Sequence, residues 1–173
     1  MSHIASVTVN ALLFVAGFLA CLMLDVTLAI LVTGVVLLLH SRRMYPGEWR
    51  LLIQTAVLGW LFDAILYRTA VLGPSGQLPE LWQLCVWLLF ATTLCHSLRF
   101  VQRHLALALL AGSLIGVCWY VLQVVLTDVI RLQSWPVFLA TIALSWALLL
   151  PLLAFVGKTH VLAGSSGFPG VRS

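Results

Sequence analysis

The sequence predicts an all-α integral membrane bundle of six transmembrane helices with both termini on one side, and three observations predict it. Hydrophobic residues make up 62% of the chain and charged residues 8%, with a mean hydropathy of +1.12, which is too apolar for a soluble domain. The apolar runs are built from Leu, Ala and Val without alternating polar residues. In hydrocarbon every backbone N–H and C=O has to be paired internally, and runs of this kind pair them within helices rather than around a barrel. Finally, the basic residues gather in alternate gaps between the runs, which gives the bundle an orientation.

The first two helices are expected at about 7–23 and 26–40. Val7 to Leu39 is an apolar stretch of 33 residues broken by one acid, Asp25. As one helix it would reach roughly 50 Å, well past a hydrocarbon core of about 30 Å. A hairpin turning near Leu24-Asp25 resolves the mismatch, with one long tilted helix as the rival arrangement. Cys21 follows Leu19-Ala20, but Phe18 and the lack of a preceding Lys or Arg argue against signal processing, so the first segment is expected to stay as a helix. Arg42, Arg43, Pro46 and Gly47 break the chain before a third helix at about 49–67. Leu72-Gly73-Pro74-Ser75-Gly76 is turn chemistry. A fourth helix is expected at about 81–98 and a fifth at about 105–126. The sixth, at about 135–156, has Pro136 in its first turn, where a missing N–H costs least, and Pro151 near its end as a kink. Residues 1–157 thus form one transmembrane domain, and 158–173 a polar cytoplasmic tail expected to be flexible.

Six spans put Arg42, Arg43, Arg50, Arg99, Arg103, Lys158 and Arg172 on one side, seven of the nine basic residues. Only Arg68 and Arg131 fall opposite, with Asp25, Glu80 and Asp128. The positive-inside rule makes both termini cytoplasmic. Trp82, Trp119, Trp135 and Tyr67 fall near the outer boundaries, where an aromatic belt is expected. The formal charge of +4 is read as arginines touching lipid phosphates, not nucleic acid. Arg42, Arg43, Arg99 and Arg103 are the candidate head-group or cytoplasmic-face contacts. Cys21, Cys85, Cys95 and Cys118 form no CxxC pair and read as small hydrophobes.

A few residues are costly enough in lipid to need a reason. Asp63 lies deep in the third helix, where a carboxylate costs on the order of 3 kcal/mol. It needs shelter, a proton or a partner, and Arg68 is within reach. Gly59, one turn earlier, leaves room for a neighbour. Thr92, His96, Arg99 and Arg103 follow a 4-3-4 spacing that would make one helical face, with Thr93 and Ser97 beside it. Asp63, Thr92, Thr93, His96 and Ser97 are therefore the candidate intramembrane polar site. The bland alternative is a set of structural hydrogen bonds at a helix end. Ala108, Gly112 and Gly116 form a smooth stripe suited to close helix packing.

No catalytic residue is assigned. There is no G-x-S-x-G elbow, no Walker loop and no pair of carboxylates on one helix. His3, His40, His96, His104 and His160 include no HxxxH or HxxH pair, so no metal site and no cofactor are expected, although a bis-histidine haem between His40 and His96 is conceivable.

The stretch Leu78-Pro79-Glu80-Leu81-Trp82, continuing through Trp87 to Thr92-Thr93-Leu94-Cys95-His96-Ser97-Leu98-Arg99-Phe100, resembles a bacterial family of small inner-membrane proteins known only as a domain of unknown function, DUF2878. Asn10, His40, Glu48, Gly59 and Asp63 match it as well, and the family pattern often has Asn in place of Cys95. The resemblance covers most of residues 8–125. It implies a multi-pass protein of the bacterial inner membrane and gives no substrate, cofactor or reaction.

Taken together, the residues point to binding or carriage of a small hydrophobic or lipid-like molecule through the intramembrane polar site, and lean away from an enzyme. A lipid-modifying enzyme with His96 as base, and an assembly subunit of a membrane complex, are the alternatives. The expected partners are membrane lipids, and a membrane-protein partner or a second copy of the chain is admitted.

Overall fold

The computed structural model describes residues 3–73, 76–102, 104–127, 129 and 131–165. Six α-helices run α1 His3–Met23, α2 Val26–Ser41, α3 Glu48–Arg68, α4 Leu81–Leu94, α5 Leu105–Leu126 and α6 Trp135–Ser165, with a 3-10 turn at Arg99–Gln102 between α4 and α5. Among the described residues, three helices are long and apolar enough to cross a membrane: Glu48–Arg68, Leu105–Leu126 and Trp135–Gly157. Val7–Met23, Val26–Ser41 and Leu81–Leu94 are shorter apolar helices.

The surface and interior are inverted relative to a soluble protein. Leu12, Met23, Leu110, Leu114, Leu144 and Leu148 are each more than 60% exposed, while Asn10, His40, Glu48, Asp63, Gln83 and Gln123 are buried. A soluble monomer does not present apolar surface on this scale.

Asp25 makes the first hairpin. Its backbone is extended (φ −62°, ψ 160°) and its carboxylate accepts from the amides of Thr27 at 2.9 Å and Leu28 at 3.2 Å. An acid that caps the next helix cannot continue the previous one, so α1 stops at Met23 and α2 folds back against it.

α4 is the centre of the bundle and touches α1, α2, α3 and α6. Val86, Trp87, Leu89 and Ala91 have no exposed surface. A capping box between Glu80 and Gln83 opens the helix. It ends at Leu94, four residues earlier than the sequence pattern suggests. Thr92 Oγ1 donates to Leu89 O at 2.7 Å and Thr93 Oγ1 to Phe90 O at 2.6 Å. The Thr93 carbonyl then takes the amides of both His96 and Leu98. Side-chain hydroxyls compete here with the helical ladder, and the chain leaves it through turns. Thr92, His96 and Arg99 therefore do not share one helical face, and Arg103 lies outside the described residues.

α5 and α6 form the second half of the bundle. A Cβ on Gly112 would meet the backbone of Trp146 (C at 3.0 Å), and one on Gly116 would meet its Cβ at 2.6 Å. Ala108 is buried as well, so the small-residue stripe is taken up by α6 of the same chain. α6 runs through Pro151 to Ser165, continuing into the segment expected as a tail. Residues 166–173 lie outside the described residues, as does Asp128. Trp119 and Tyr67 are buried rather than set in a surface belt, whereas Trp135 is 38% exposed. Trp119 packs inside against Trp87, Phe90 and Trp146 in tilted or edge-to-face contacts, at ring distances of 4.9, 5.6 and 5.2 Å. Cys118, on the outward side of α5, is exposed, while Cys21, Cys85 and Cys95 are buried.

Candidate functional site

Among the described residues, two polar clusters interrupt the apolar interior and a third lines an open cleft. The first sits where α2 ends and α3 begins. Pro46 and Gly47 turn the chain, with Gly47 in the left-handed region at φ 84°, and Glu48 opens α3. Its carboxylate is 2% exposed as a residue and is approached from three directions. His40 Nε2, from the last turn of α2, lies 2.9 Å from Oε1. His96 Nε2, from the turn after α4, lies 3.1 Å from the same oxygen and 3.4 Å from Oε2. The Tyr45 amide donates to Oε2 at 2.8 Å, and the Tyr45 ring stacks on His96 at 5.3 Å between centroids. The two imidazoles meet edge to face at 4.9 Å. The three ligand atoms of His40, Glu48 and His96 all fall within 4.8 Å of one another.

Beside this cluster Asn10 of α1 bridges to the end of α4. Its Nδ2 donates to Thr92 O at 3.2 Å, and its Oδ1 accepts from Ser97 Oγ at 2.8 Å. The hydroxyls of Thr92 and Thr93 point back to their own helix.

The second cluster is Asp63, which has no exposed surface. Trp87 Nε1 donates to Oδ2 at 2.7 Å, and the Tyr120 hydroxyl donates to Oδ1. The carboxyl thus ties α3 to α4 and α5. Gly59 makes the approach of Trp87 possible, because a Cβ there would sit 2.5 Å from Trp87 Cε2. Arg68 is an exposed residue at the end of α3. Of the five residues expected to form one intramembrane site, Asp63 keeps to this cluster. Thr92, Thr93, His96 and Ser97 lie at the α4 terminus near Glu48.

The third cluster lies at the opposite end of the bundle, around the α1–α2 hairpin. A cleft of about 770 Å³ opens there, lined by Asp25, Tyr67, Gln77 and Glu80 and by apolar residues including Leu22 and Val125. Trp82 Nε1 donates to Glu80 Oε2 at 3.1 Å, which fixes that carboxylate on the rim. The volume is within the range of small-molecule sites, and the mixed lining has both an apolar wall and polar anchors.

Reading one helix at a time gives no access to the first cluster, because its three ligand groups come from three elements. His40 and Glu48 are eight residues apart across a break, and His96 is 48 residues beyond Glu48. Two signals in the sequence bear on it: the pairing of His40 with His96 as a conceivable haem site, and the resemblance, which has Asn10, His40 and Glu48 among its matching residues. The partners of Asp63 are equally remote, 24 and 57 residues away.

Neither a curated protein nor a solved structure matches the chain. One family model does, described as a protein of unknown function, and it spans residues 7–152. That match takes in α1 to α5 and most of α6, and with them all three polar clusters. The chain belongs to the protein family of unknown function DUF2878.

Proposed function

We propose that this is a multi-pass protein of the bacterial inner membrane that binds a small amphipathic, lipid-like molecule without turning it over. The observation that carries the reading is the cleft of about 770 Å³ between the α1–α2 hairpin, the start of α4 and the end of α5, with Asp25, Tyr67 and Glu80 on its polar side. A ligand of this class would lay its apolar part against Leu22 and Val125 and turn a hydroxyl- or amine-bearing head toward the two carboxylates. On this reading all six helices span the membrane and both ends are cytoplasmic. Arg42, Arg43, Arg50 and Arg99 are exposed at the end that holds Glu48, and the cleft then faces outward. Lipid surrounds the exposed leucines of every helix and supplies the natural pool of ligands.

Purification into lipid nanodiscs followed by mass spectrometry of what is retained tests the reading. A single class of amphiphile should co-purify in stoichiometric amount, and Glu80→Gln together with Tyr67→Phe should deplete it. Retention of bulk lipid alone, in the same proportions for wild type and variants, would refute it.

A further inference from the structure

The Glu48 cluster has a geometry that the amphiphile cleft does not use, and it stands on separate residues at the other end of the bundle. We propose that His40, Glu48 and His96 form a mononuclear divalent-metal site of the zinc class, with its fourth coordination position open to a water or an anion.

The donor set is two imidazoles and one carboxylate, the combination that suits zinc and its neighbours when one position is left for an exchangeable ligand. The spacing fits as well. Metal–ligand bonds of about 2.0–2.2 Å at tetrahedral angles set ligand atoms roughly 3.3 Å apart. The two His Nε2 atoms lie 2.9 and 3.1 Å from Glu48 Oε1 and all three ligand atoms fall within 4.8 Å, so each nitrogen has to open from the oxygen by a few tenths of an ångström while the two imidazoles adjust to each other around the ion. Both imidazoles present the same nitrogen to the same oxygen, converging on one point rather than pairing off.

The surroundings suit an ion. His40 is 5% exposed and Glu48 2%, so the carboxylate is removed from water and gains most from a compact positive charge. The ligands are held from outside the triad. The Tyr45 amide orients Glu48 through Oε2, and the Tyr45 ring lies over His96. Such outer supports fix ligand geometry in metal sites. A cavity of about 20 Å³ lies beside the two histidines, lined also by Asn10 and Arg43. That is room for about one water molecule. With Arg43 on its wall, it is a natural place for an anionic oxygen as fourth ligand.

The experiment uses the full chain in detergent, with any affinity tag removed, stripped by chelator and titrated with Zn²⁺ and, as a spectroscopic probe, Co²⁺. Wild type should take up one equivalent saturably, and the cobalt form should show the visible d–d bands of a four-coordinate ion. Glu48→Gln and His96→Gln should each weaken uptake by at least about 100-fold, the upper end of what removing even an outer support costs. His96→Cys should keep the ion and add a sulfur-to-cobalt charge-transfer band, which a residue with only a structural role would not produce. Asp63→Asn should leave uptake unchanged. Absence of saturable uptake by the wild type overturns the proposal whatever the variants do. So does uptake that persists undiminished in both Gln variants, because the ion would then sit on other groups such as the exposed His104.

Discussion

Substituting Gly59 by Ala tests whether Asp63 is held by close helix approach. The added Cβ would sit 2.5 Å from Trp87 Cε2 and nearer still to other ring atoms, where carbon atoms pack at about 3.5–4.0 Å. Trp87 therefore has to retreat by about 1 Å or more. It has nowhere to go: its ring has no exposed surface and lies against Trp119 and Trp146 at 4.9 and 5.4 Å. Overpacking of this kind costs about 1–3 kcal/mol. Retreat also stretches the 2.7 Å bond from Nε1 to Asp63 Oδ2, and a hydrogen bond to a carboxylate contributes about 1.5–3 kcal/mol. The two together give about 2.5–6 kcal/mol, partly offset by roughly 1 kcal/mol because Ala is the better helix former. At about 2–4 °C per kcal/mol for a chain of this size, the net cost of about 1.5–5 kcal/mol should lower the melting temperature in detergent by about 3–20 °C. Tryptophan fluorescence should shift at the same time. In a Trp87→Leu background the same Gly59→Ala change should cost less than about 1 kcal/mol, since the clash is gone. A Gly59→Ala protein that melts like wild type, or an equal cost in both backgrounds, refutes the reasoning.

Two further predictions bear on the other polar groups. Asp63→Asn keeps an oxygen for the Trp87 N–H and offers its amide to the Tyr120 oxygen, so it should cost no more than about 1 kcal/mol, whereas Asp63→Leu strands two buried donors and should cost about 2–5 kcal/mol; chemical denaturation of the two variants separates them. Asp25→Ala removes the cap on α2, which should cost about 1 kcal/mol and raise hydrogen exchange at the Thr27 and Leu28 amides, with no change in exchange at α5 or α6.

How much of this was legible in the sequence follows from how far each determinant acts. Helix number and the position of the first hairpin were readable because they depend on local facts. Asp25 in a 33-residue apolar stretch is both too costly to pass over and well suited to cap the next helix. The end of α4 was not readable from periodicity, because Thr92 and Thr93 each fit a helix. Only their hydroxyl bonds to Leu89 and Phe90, with two amides converging on the Thr93 carbonyl, show why the ladder stops. Asp63 stood out by its energetic cost, but the sequence offered Arg68 as the nearest partner. The bonds it makes come from Trp87 and Tyr120 across the bundle. The aromatic residues were assigned by depth alone, which cannot tell a surface belt from an interior stack. Trp119 joined the stack because it neighbours Tyr120 and Gly116 on the inward side of α5. The His40–Glu48–His96 cluster depends on three separate helix termini meeting, and no local pattern encodes that.

The enclosure of α4 has a consequence for biogenesis. A segment of 14 residues is about 21 Å long, short of the hydrocarbon thickness, and it carries Gln83, Thr92 and Thr93. On leaving the translocation machinery it has neither the length nor the all-round apolarity to rest stably among acyl chains. α1, α2 and α3 precede it in the chain and can receive it, but the face that meets α6 stays open until α6 has been made. Nascent chains cut short within α5 would therefore carry an unfinished groove along their central helix.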